Sequence, residues 1–165
     1  MSGINTCCFF GHREIIETEE LKKQLFETIE GLIRDENVDT FLFGSKSRFD
    51  GLCLETVTKI KEKYPHIKRV YVRAEFPYIN EHYMSFLLES YDDTYYPERI
   101  INAGRAVYVE RNREMIDKSC FCVVYYDSEY TPKKRKSGTK IAFEYAVKQK
   151  KNIILFPKNN FQKGL

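Results

Sequence analysis

Hydrophobic and polar positions along the chain follow two periods in turn, which predicts alternating strands and helices. Short apolar runs, each closed by glycine or polar residues, are typical of buried strands. They predict strands at residues 6–10, 40–43, 68–73, 105–108, 121–126 and 152–156. Apolar residues spaced three and four positions apart predict amphipathic helices. These helices are expected at residues 18–33, 49–64, 81–88, 110–118 and 138–150.

Strands separated by helices predict right-handed crossovers and a mainly parallel sheet with helices on both faces. We therefore expect a Rossmann-like, three-layer α/β/α sandwich. A length of 165 residues suits one domain, residues 1–165, because the chain has no linker, internal repeat or low-complexity segment. The aromatic and acidic residues 91–97 are predicted to form a loop, and residues 158–165 a loose tail.

Charge and hydropathy narrow the class of protein. The net charge is only +3, from 27 basic and 24 acidic residues, which argues against a dedicated nucleic-acid binder. No apolar run is long enough to span a bilayer, and no basic and apolar leader opens the chain. We expect a cytoplasmic protein without a membrane partner.

The five cysteines predict reduced core residues rather than disulfides or a metal site. Cys7, Cys8, Cys120 and Cys122 fall in or beside predicted buried strands, and Cys53 falls in a predicted helix. This placement fits free thiols of a cytosolic protein. Cys120 and Cys122 share one face of a strand, as zinc ligands would, but no further ligands cluster with them in the sequence. We predict no metal site.

Two segments far apart in the sequence carry the candidate chemistry. TCCFFGHR covers residues 6–13, and KSGTKIAFEYA covers residues 136–146. Each predicts a junction that runs into a helix, and such junctions gather along one edge of a parallel sheet. Backbone N–H groups at helix N-termini attract anions. The two segments together are expected to hold one phosphorylated ligand.

Four motifs in order resemble the YpsA-like branch of the SLOG superfamily. They are TCCFFGHR, FLFGSKSRFDGLCLETV, YYPERIINAGRAVYVERNREMID and KSGTKIAFEYAV, and the resemblance runs from about residue 6 to residue 156. SLOG proteins are similar to the LOG phosphoribohydrolases and to the Rossmann-like domain of DprA. The resemblance implies a Rossmann-like domain that binds a nucleotide or a nucleotide derivative.

Carried over by position, the resemblance implies three ligand-facing loops and a basic site. The loop residues are Gly11, His12 and Arg13, then Gly44, Ser45 and Asp50, then Ser137, Gly138 and Thr139, while Arg111 and Arg113 occupy the basic positions.

The chain departs from the family pattern at several of these positions. Phe10 replaces a small residue, Lys46 stands where a second glycine is common, and Ser137 replaces the first glycine of a Gly-Gly-Thr turn. Glu144 lies five residues past Thr139, whereas the LOG pattern places its glutamate three residues past the threonine. The last difference places the LOG hydrolytic machinery in doubt.

Each candidate residue also has a structural interpretation. Residues at the Gly138 helix start bind phosphate or simply cap the helix. Arg13 contacts a phosphate or lies on the surface. His12 acts as an acid or phosphate donor, or it bonds to neighbouring strand ends. Asp50 bonds a ribose hydroxyl or caps a helix beginning near Gly51.

Three further features have the same ambiguity. Glu144 stabilises a sugar cation, or it meets solvent or a lysine such as Lys140. The basic run Lys133, Lys134, Arg135 and Lys136 is a solvated loop, a nucleic-acid contact or a lid over phosphates. The aromatics Tyr91, Tyr95 and Tyr96 stack on a base, form an interface or cap the core.

These observations lead to one preferred function and two alternatives. We expect a binding or sensing protein for a nucleotide or an ADP-ribose-like or NAD-related ligand, which would be its small-molecule partner. Phosphate would lie near Arg13 and Gly138, and base or ribose near Ser45. The alternatives are a phosphoribohydrolase acting on a nucleoside monophosphate and a DprA-like single-stranded DNA binder. The aromatic residues would suit the interface of a homodimer, and the sequence leaves the oligomeric state open.

Overall fold

The computed structural model describes residues 5–127 and 137–158. These residues form six strands and five α-helices in alternation. The strands are β1 (Thr6–Gly11), β2 (Thr40–Phe43), β3 (Lys68–Val72), β4 (Asp93–Tyr95), β5 (Phe121–Tyr125) and β6 (Asn152–Phe156). The helices are α1 (Glu19–Glu36), α2 (Arg48–Lys61), α3 (Glu81–Leu87), α4 (Val107–Asp117) and α5 (Gly138–Lys148).

The described strands make one fully parallel sheet in the order β4-β3-β2-β1-β5-β6. The chain builds outwards from β1 to β4 and then returns, through α4, to place β5 on the other side of β1. This order confirms the Rossmann-like α/β prediction. It also creates a switch point between β1 and β5, where neighbouring connections leave in opposite directions.

Each face of the sheet carries its own hydrophobic core, as a three-layer sandwich requires. Alternate strand residues such as Cys7 and Phe9 pack with α1 and α2, while Cys8 and Phe10 pack with α4 and α5. The central strands are buried on both faces, which explains why they are apolar without interruption. The helices present their apolar stripes inwards, for example Leu21, Leu25 and Ile29 of α1.

The predicted fourth strand at residues 105–108 is wrong. Gly104–Ala106 form a 3-10 turn, and α4 begins at Val107, three residues before its predicted start. The fourth strand is instead Asp93–Tyr95, inside the segment predicted as a loop. It has three residues and only Thr94 is buried, so its own sequence carries no strand period. Pairing with β3 and a bond from Thr94 Oγ1 to the Tyr71 carbonyl, 2.8 Å long, hold it in the sheet.

The helix starts follow the side-chain caps. Thr18, Ser47 and Ser137 are the N-caps of α1, α2 and α5, and each side-chain oxygen accepts a backbone N–H three residues later. The alternative interpretation of Asp50 as a cap near Gly51 is therefore wrong, because α2 begins earlier, at Arg48. No helix in the described ranges is long and apolar enough to cross a membrane.

All five cysteines are free thiols. Four are buried in the core, while Cys120 is half-buried and lies just before β5. Cys8 and Cys122 are directly opposite each other in β1 and β5, with their sulfur atoms 3.6 Å apart. Within residues 5–127 and 137–158, no group of three His, Cys, Asp or Glu side chains is placed to hold a metal ion.

Candidate functional site

The carboxyl ends of β1 and β5 lie side by side at the switch point of the sheet, and we refer to the space outside them as the crevice. In open α/β sheets this position outside the strand ends is where ligands bind. Three elements begin or end at this edge of the sheet: the loop after β1, the residues that follow β5, and α5, a helix that packs against both strands. The structure thus brings the two sequence segments, near residues 11–13 and 137–139, to one edge of the sheet.

His12 is buried at the centre of this crevice. Its side chain is 3% exposed, and its Nε2 accepts a hydrogen bond from the Asp127 backbone N–H at 3.0 Å. The ring lies beside Tyr125 and Tyr126, with centroids 6.1 and 5.6 Å away. Burial lowers the pKa of His12, so the neutral imidazole is favoured at neutral pH. The bond to Asp127 ties the end of β1 to the end of β5, in line with the structural interpretation.

Arg13 is exposed at the rim, and backbone contacts hold its loop. Its carbonyl accepts the Arg48 N–H at 2.9 Å. The Arg48 guanidinium in turn pairs with Glu17 and Glu55, and these bonds raise the pKa of Arg48. The loop after β1 is therefore fastened to the start of α2, while the Arg13 side chain faces outwards.

Gly11 has a packing role at the end of β1. A Cβ placed there would lie 2.6 Å from Cδ2 of Phe49. Phe49 is fully buried in the first turn of α2. The glycine therefore allows α2 to approach β1, which gives this residue a structural reason independent of any ligand.

Among the described residues, the first backbone N–H groups of α5 have no hydrogen-bond acceptor. The Ser137 hydroxyl accepts the Lys140 N–H at 3.0 Å, and the Ser137 carbonyl accepts the Ile141 N–H. The amides of Gly138 and Thr139 belong to the first turn, where helix geometry provides no carbonyl acceptor. Among the described residues nothing lies within 4 Å of a Cβ built on Gly138. Within the described part of the chain, capping by Ser137 therefore leaves these two amides without an acceptor, and such amides can bind an anion.

The loop between β2 and α2 is built differently, because its donors are already used. Asp50 Oδ2 accepts the N–H groups of Gly44 at 3.2 Å and Ser45 at 3.1 Å. The Ser45 hydroxyl bonds to the hydroxyl of Ser47, which also accepts the Asp50 N–H. Asp50 is 3% exposed, so its side chain organises the loop, and its predicted ribose contact stays a prediction.

Arg111 clamps the same loop from α4. Its guanidinium donates to the carbonyl of Gly44, the residue after β2, and to the carbonyl of Val72, the last residue of β3. A Cβ on Gly44 would meet Met115 Sδ at 2.6 Å and Arg111 Cδ at 2.8 Å. The resemblance implied only that Arg111 occupies one of the family's basic positions, and sequence reasoning missed this role. An arginine inside a helix carries no local signal for the carbonyls that it will cover.

Burial shifts the pKa of both charged groups of this clamp. It raises the pKa of Asp50 to about 7, against the opposing influence of the Gly44 N–H and of Arg111. It lowers the pKa of Arg111, which the Asp50 charge partly restores. Asp50 Oδ1 is buried without a hydrogen-bond partner among the described residues. The clamp therefore contains a carboxyl group that titrates near neutral pH.

Arg113, Glu144 and the tyrosines lie away from the centre of the crevice. Arg113 pairs with Glu110 at 2.9 Å and lies over the Tyr145 ring, between α4 and α5. Glu144 is exposed on α5. Tyr91 stacks on Tyr71 with centroids 5.1 Å apart, and Tyr95 donates to Glu114 at 3.0 Å, while Tyr96 is half-buried. The basic residues 133–136 lie outside the described residues.

Comparison with known proteins identifies the family. A family model, YpsA, described as the YspA SLOG family, matches residues 7–160, which is nearly the whole chain. No curated protein matches the chain at a significant level. Because the match runs from β1 through β6, the chain belongs to the YpsA-like SLOG family.

Proposed function

We propose that this protein binds a nucleotide or a nucleotide derivative, of the ADP-ribose or NAD-related class, in the crevice between β1 and β5. Membership of the SLOG family supports a nucleotide-related binding or processing role at a coarse level. The observation that carries the proposal is the meeting of the Arg13 loop and the α5 start at the switch point. The whole chain, residues 1–165, is proposed to act as one binding domain, in the cytoplasm.

Phosphate is assigned to the α5 start and Arg13. The Gly138 and Thr139 amides point along the positive end of the α5 dipole, which favours an anion. Thr139 adds a hydroxyl donor, and the Arg13 guanidinium suits bidentate contact with phosphate oxygens. His12, held neutral by burial, fixes the β5 exit that forms the other wall. Gly44, Ser45 and Asp50 shape the neighbouring rim.

The experiment is a thermal-shift titration of the purified protein with AMP, ADP, ADP-ribose, NAD and inorganic phosphate. A ligand that binds only the folded state stabilises it by about 2.7 kcal/mol at one hundred times its Kd. We expect a saturable rise in Tm for one of the nucleotides. We expect Arg13→Ala and Thr139→Ala to weaken that binding about tenfold, because each removes a hydrogen bond to a charged group.

Arg34→Ala is the matched control for Arg13→Ala. Arg34 is also exposed, but it lies in the last turn of α1, at the opposite edge of the sheet, and pairs with Asp35. Its substitution should leave nucleotide binding unchanged. The site assignment is wrong if the Arg13 and Thr139 variants keep wild-type affinity, and the function is wrong if no nucleotide raises the Tm.

Chromatography of the same incubations separates binding from turnover. A sensor returns the nucleotide intact. Appearance of free base and ribose 5-phosphate, abolished in Glu144→Gln, would favour the phosphoribohydrolase alternative instead.

A further inference from the structure

A shallow notch lies at the carboxyl end of β3, on the same edge of the sheet as the crevice. Its lining includes Lys46 from the loop after β2, Tyr71 from β3, Arg73, Glu75 and Phe76 from the segment after β3, and Tyr83 from α3. No residue of this notch except Tyr71 belongs to a strand. We refer to these six residues as the β3 notch.

The β3 notch presents an aromatic surface that is accessible to solvent. Phe76 is 48% exposed, and its ring meets Tyr83 edge-on with centroids 5.8 Å apart. Tyr83 is stacked on Phe86, which is also exposed, with centroids 6.1 Å apart. The Phe76 and Tyr83 rings are at 89° to each other, so a planar heteroaromatic ring can stack on one of them and meet the other at its edge.

The backbone of the β3 notch is held in place without a ligand. The Arg73 guanidinium is buried and donates to the Phe76 carbonyl at 2.9 Å, the Pro77 carbonyl at 3.2 Å and Thr94 Oγ1 at 3.1 Å. These three bonds fix the segment that carries Glu75 and Phe76. A preformed surface loses little conformational entropy on binding.

Polar groups of both signs stand at the rim of the notch. The Lys46 ammonium is exposed and supplies donors. The Glu75 carboxylate is also exposed and accepts a bond from the Tyr108 hydroxyl at 3.1 Å, with further acceptor capacity. Nucleobase edges carry ring-nitrogen and carbonyl acceptors beside N–H donors. Aromatic stacking flanked by one cation and one carboxylate therefore fits a nucleobase better than an aliphatic or anionic ligand.

The distance along the sheet edge selects the length of the ligand. β3 is two strands from β1, and the crevice lies between β1 and β5. At about 4.8 Å per strand, the notch is about 12 Å from the crevice. A nucleoside monophosphate is too short for its phosphate and base to reach both places. A diphosphate linkage provides the additional reach.

We propose that the β3 notch binds the purine base of a nucleoside diphosphate, or of a compound that contains one, with its phosphates at the α5 start. The proposal rests on the proposed function and specifies its ligand class. A purine is assigned because its larger ring system gains more from stacking on one of the two rings, Phe76 or Tyr83, while its edge meets the other, and because its N7 can accept from a donor such as Lys46.

The test uses fluorescence, because the chain contains no tryptophan. The variant Tyr83→Trp introduces a single indole in the notch. The control is Tyr78→Trp, because Tyr78 lies on the neighbouring segment, is 93% exposed and is outside the notch. We expect ADP to quench the indole of the Tyr83 variant saturably and to leave that of the Tyr78 variant unchanged.

Affinity measurements on the natural tyrosines complete the test. We expect Tyr83→Ala and Phe76→Ala to weaken ADP binding about five- to hundredfold, which is the range for loss of one stacked base. The same variants should bind inorganic pyrophosphate as the wild type does, and Tyr78→Ala should change neither ligand. ADP should also bind more tightly than UDP, which has the smaller base.

The outcomes separate this inference from the proposed function. ADP binding to the wild type could require Arg13 and yet be unchanged in Tyr83→Ala and Phe76→Ala. In that case the notch is not the base site and the phosphate site stands. If ADP and UDP bind equally, the purine assignment is wrong. If neither ADP nor pyrophosphate binds the wild type, the proposed function fails and the inference fails with it.

Discussion

Two loops at one edge of the sheet carry similar sequence signals but are built in opposite ways. In the loop after β2, the Gly44 and Ser45 amides donate hydrogen bonds to Asp50, and Arg111 donates to the Gly44 carbonyl. At the start of α5, Ser137 caps the helix and leaves the first-turn amides without an intrahelical acceptor. A glycine and a serine before a helix therefore do not identify a ligand site, because what matters is whether their donors are already bonded.

The largest effect is expected from Arg111→Met, which removes the cation of the clamp. The substitution leaves the buried carbonyls of Gly44 and Val72 without their donor, and each buried acceptor left unsatisfied costs about 1–3 kcal/mol. Urea unfolding measures the loss. Arg113→Met is the control on the same helix, since that side chain is partly exposed and should cost about 1 kcal/mol or less. Equal losses in the two variants would contradict the clamp.

The second expectation concerns the pH dependence of Asp50. Its folded pKa of about 7 lies above the unfolded value of about 3.9, so the folded state holds the proton more tightly. The Asp50 carboxyl makes its full contribution to the free energy of unfolding below pH 3.9, and this contribution is lost as the pH rises through 7. Between pH 5 and pH 8 the wild type should lose about 3 kcal/mol relative to Asp50→Asn.

Urea unfolding of both proteins at the two pH values measures this difference. The lowered pKa of His12 acts with the opposite sign, but it is present in both proteins and cancels. Parallel pH profiles would show that Asp50 stays ionised in the folded protein.

A third expectation compares the same added methyl group at two glycines. Gly44→Ala must displace buried Met115 and Arg111 atoms and should cost about 1–3 kcal/mol. Gly138→Ala meets no described neighbour within 4 Å and lies in a helix, where alanine is favoured by up to about 1 kcal/mol. Thermal unfolding measures both. Destabilisation by Gly138→Ala would indicate that the α5 start is as closely packed as the clamp.

The smallest expected effect separates capping from binding at two matched serines. Ser47 and Ser137 cap α2 and α5 through equivalent bonds of 3.0 Å. Replacing either by alanine should cost about 1 kcal/mol of stability. Only Ser137→Ala should also weaken nucleotide binding, as measured by calorimetry, because its helix start faces the crevice. Weakening by both, or by neither, would remove the distinction between the loops.

The sequence was sufficient for the elements whose own residues carry a strong period. β1, β2, β5 and β6 are apolar and bounded by polar or turn residues, and α1 and α5 begin directly after Thr18 and Ser137. β4 was missed because Asp93–Tyr95 is short and acidic, and its backbone is paired only by β3. Strand formation there depends on a neighbour about twenty residues away in sequence.

The residues of the candidate site also fall into two groups, those that the sequence predicted and those that it did not. Gly11, His12, Arg13 and the residues at 137–139 were brought to one edge, as their position after parallel strands predicted. The bond from Arg111 to the Gly44 carbonyl was not predictable, because the two residues are more than sixty positions apart in the sequence. Glu75, Phe76 and Tyr83 were not predicted either, since each is an ordinary surface residue until the fold places them side by side.

The sequence by itself determined the alternation of strands and helices and the family, because each of these depends on neighbouring residues or on motifs in a fixed order. Only the tertiary structure decided the strand order, the switch point between β1 and β5, and which donors at the sheet edge remain available. These features depend on contacts between residues far apart in the chain. A hydrogen-bond donor is used or left over according to the partner that the fold brings to it, and no local pattern encodes that partner.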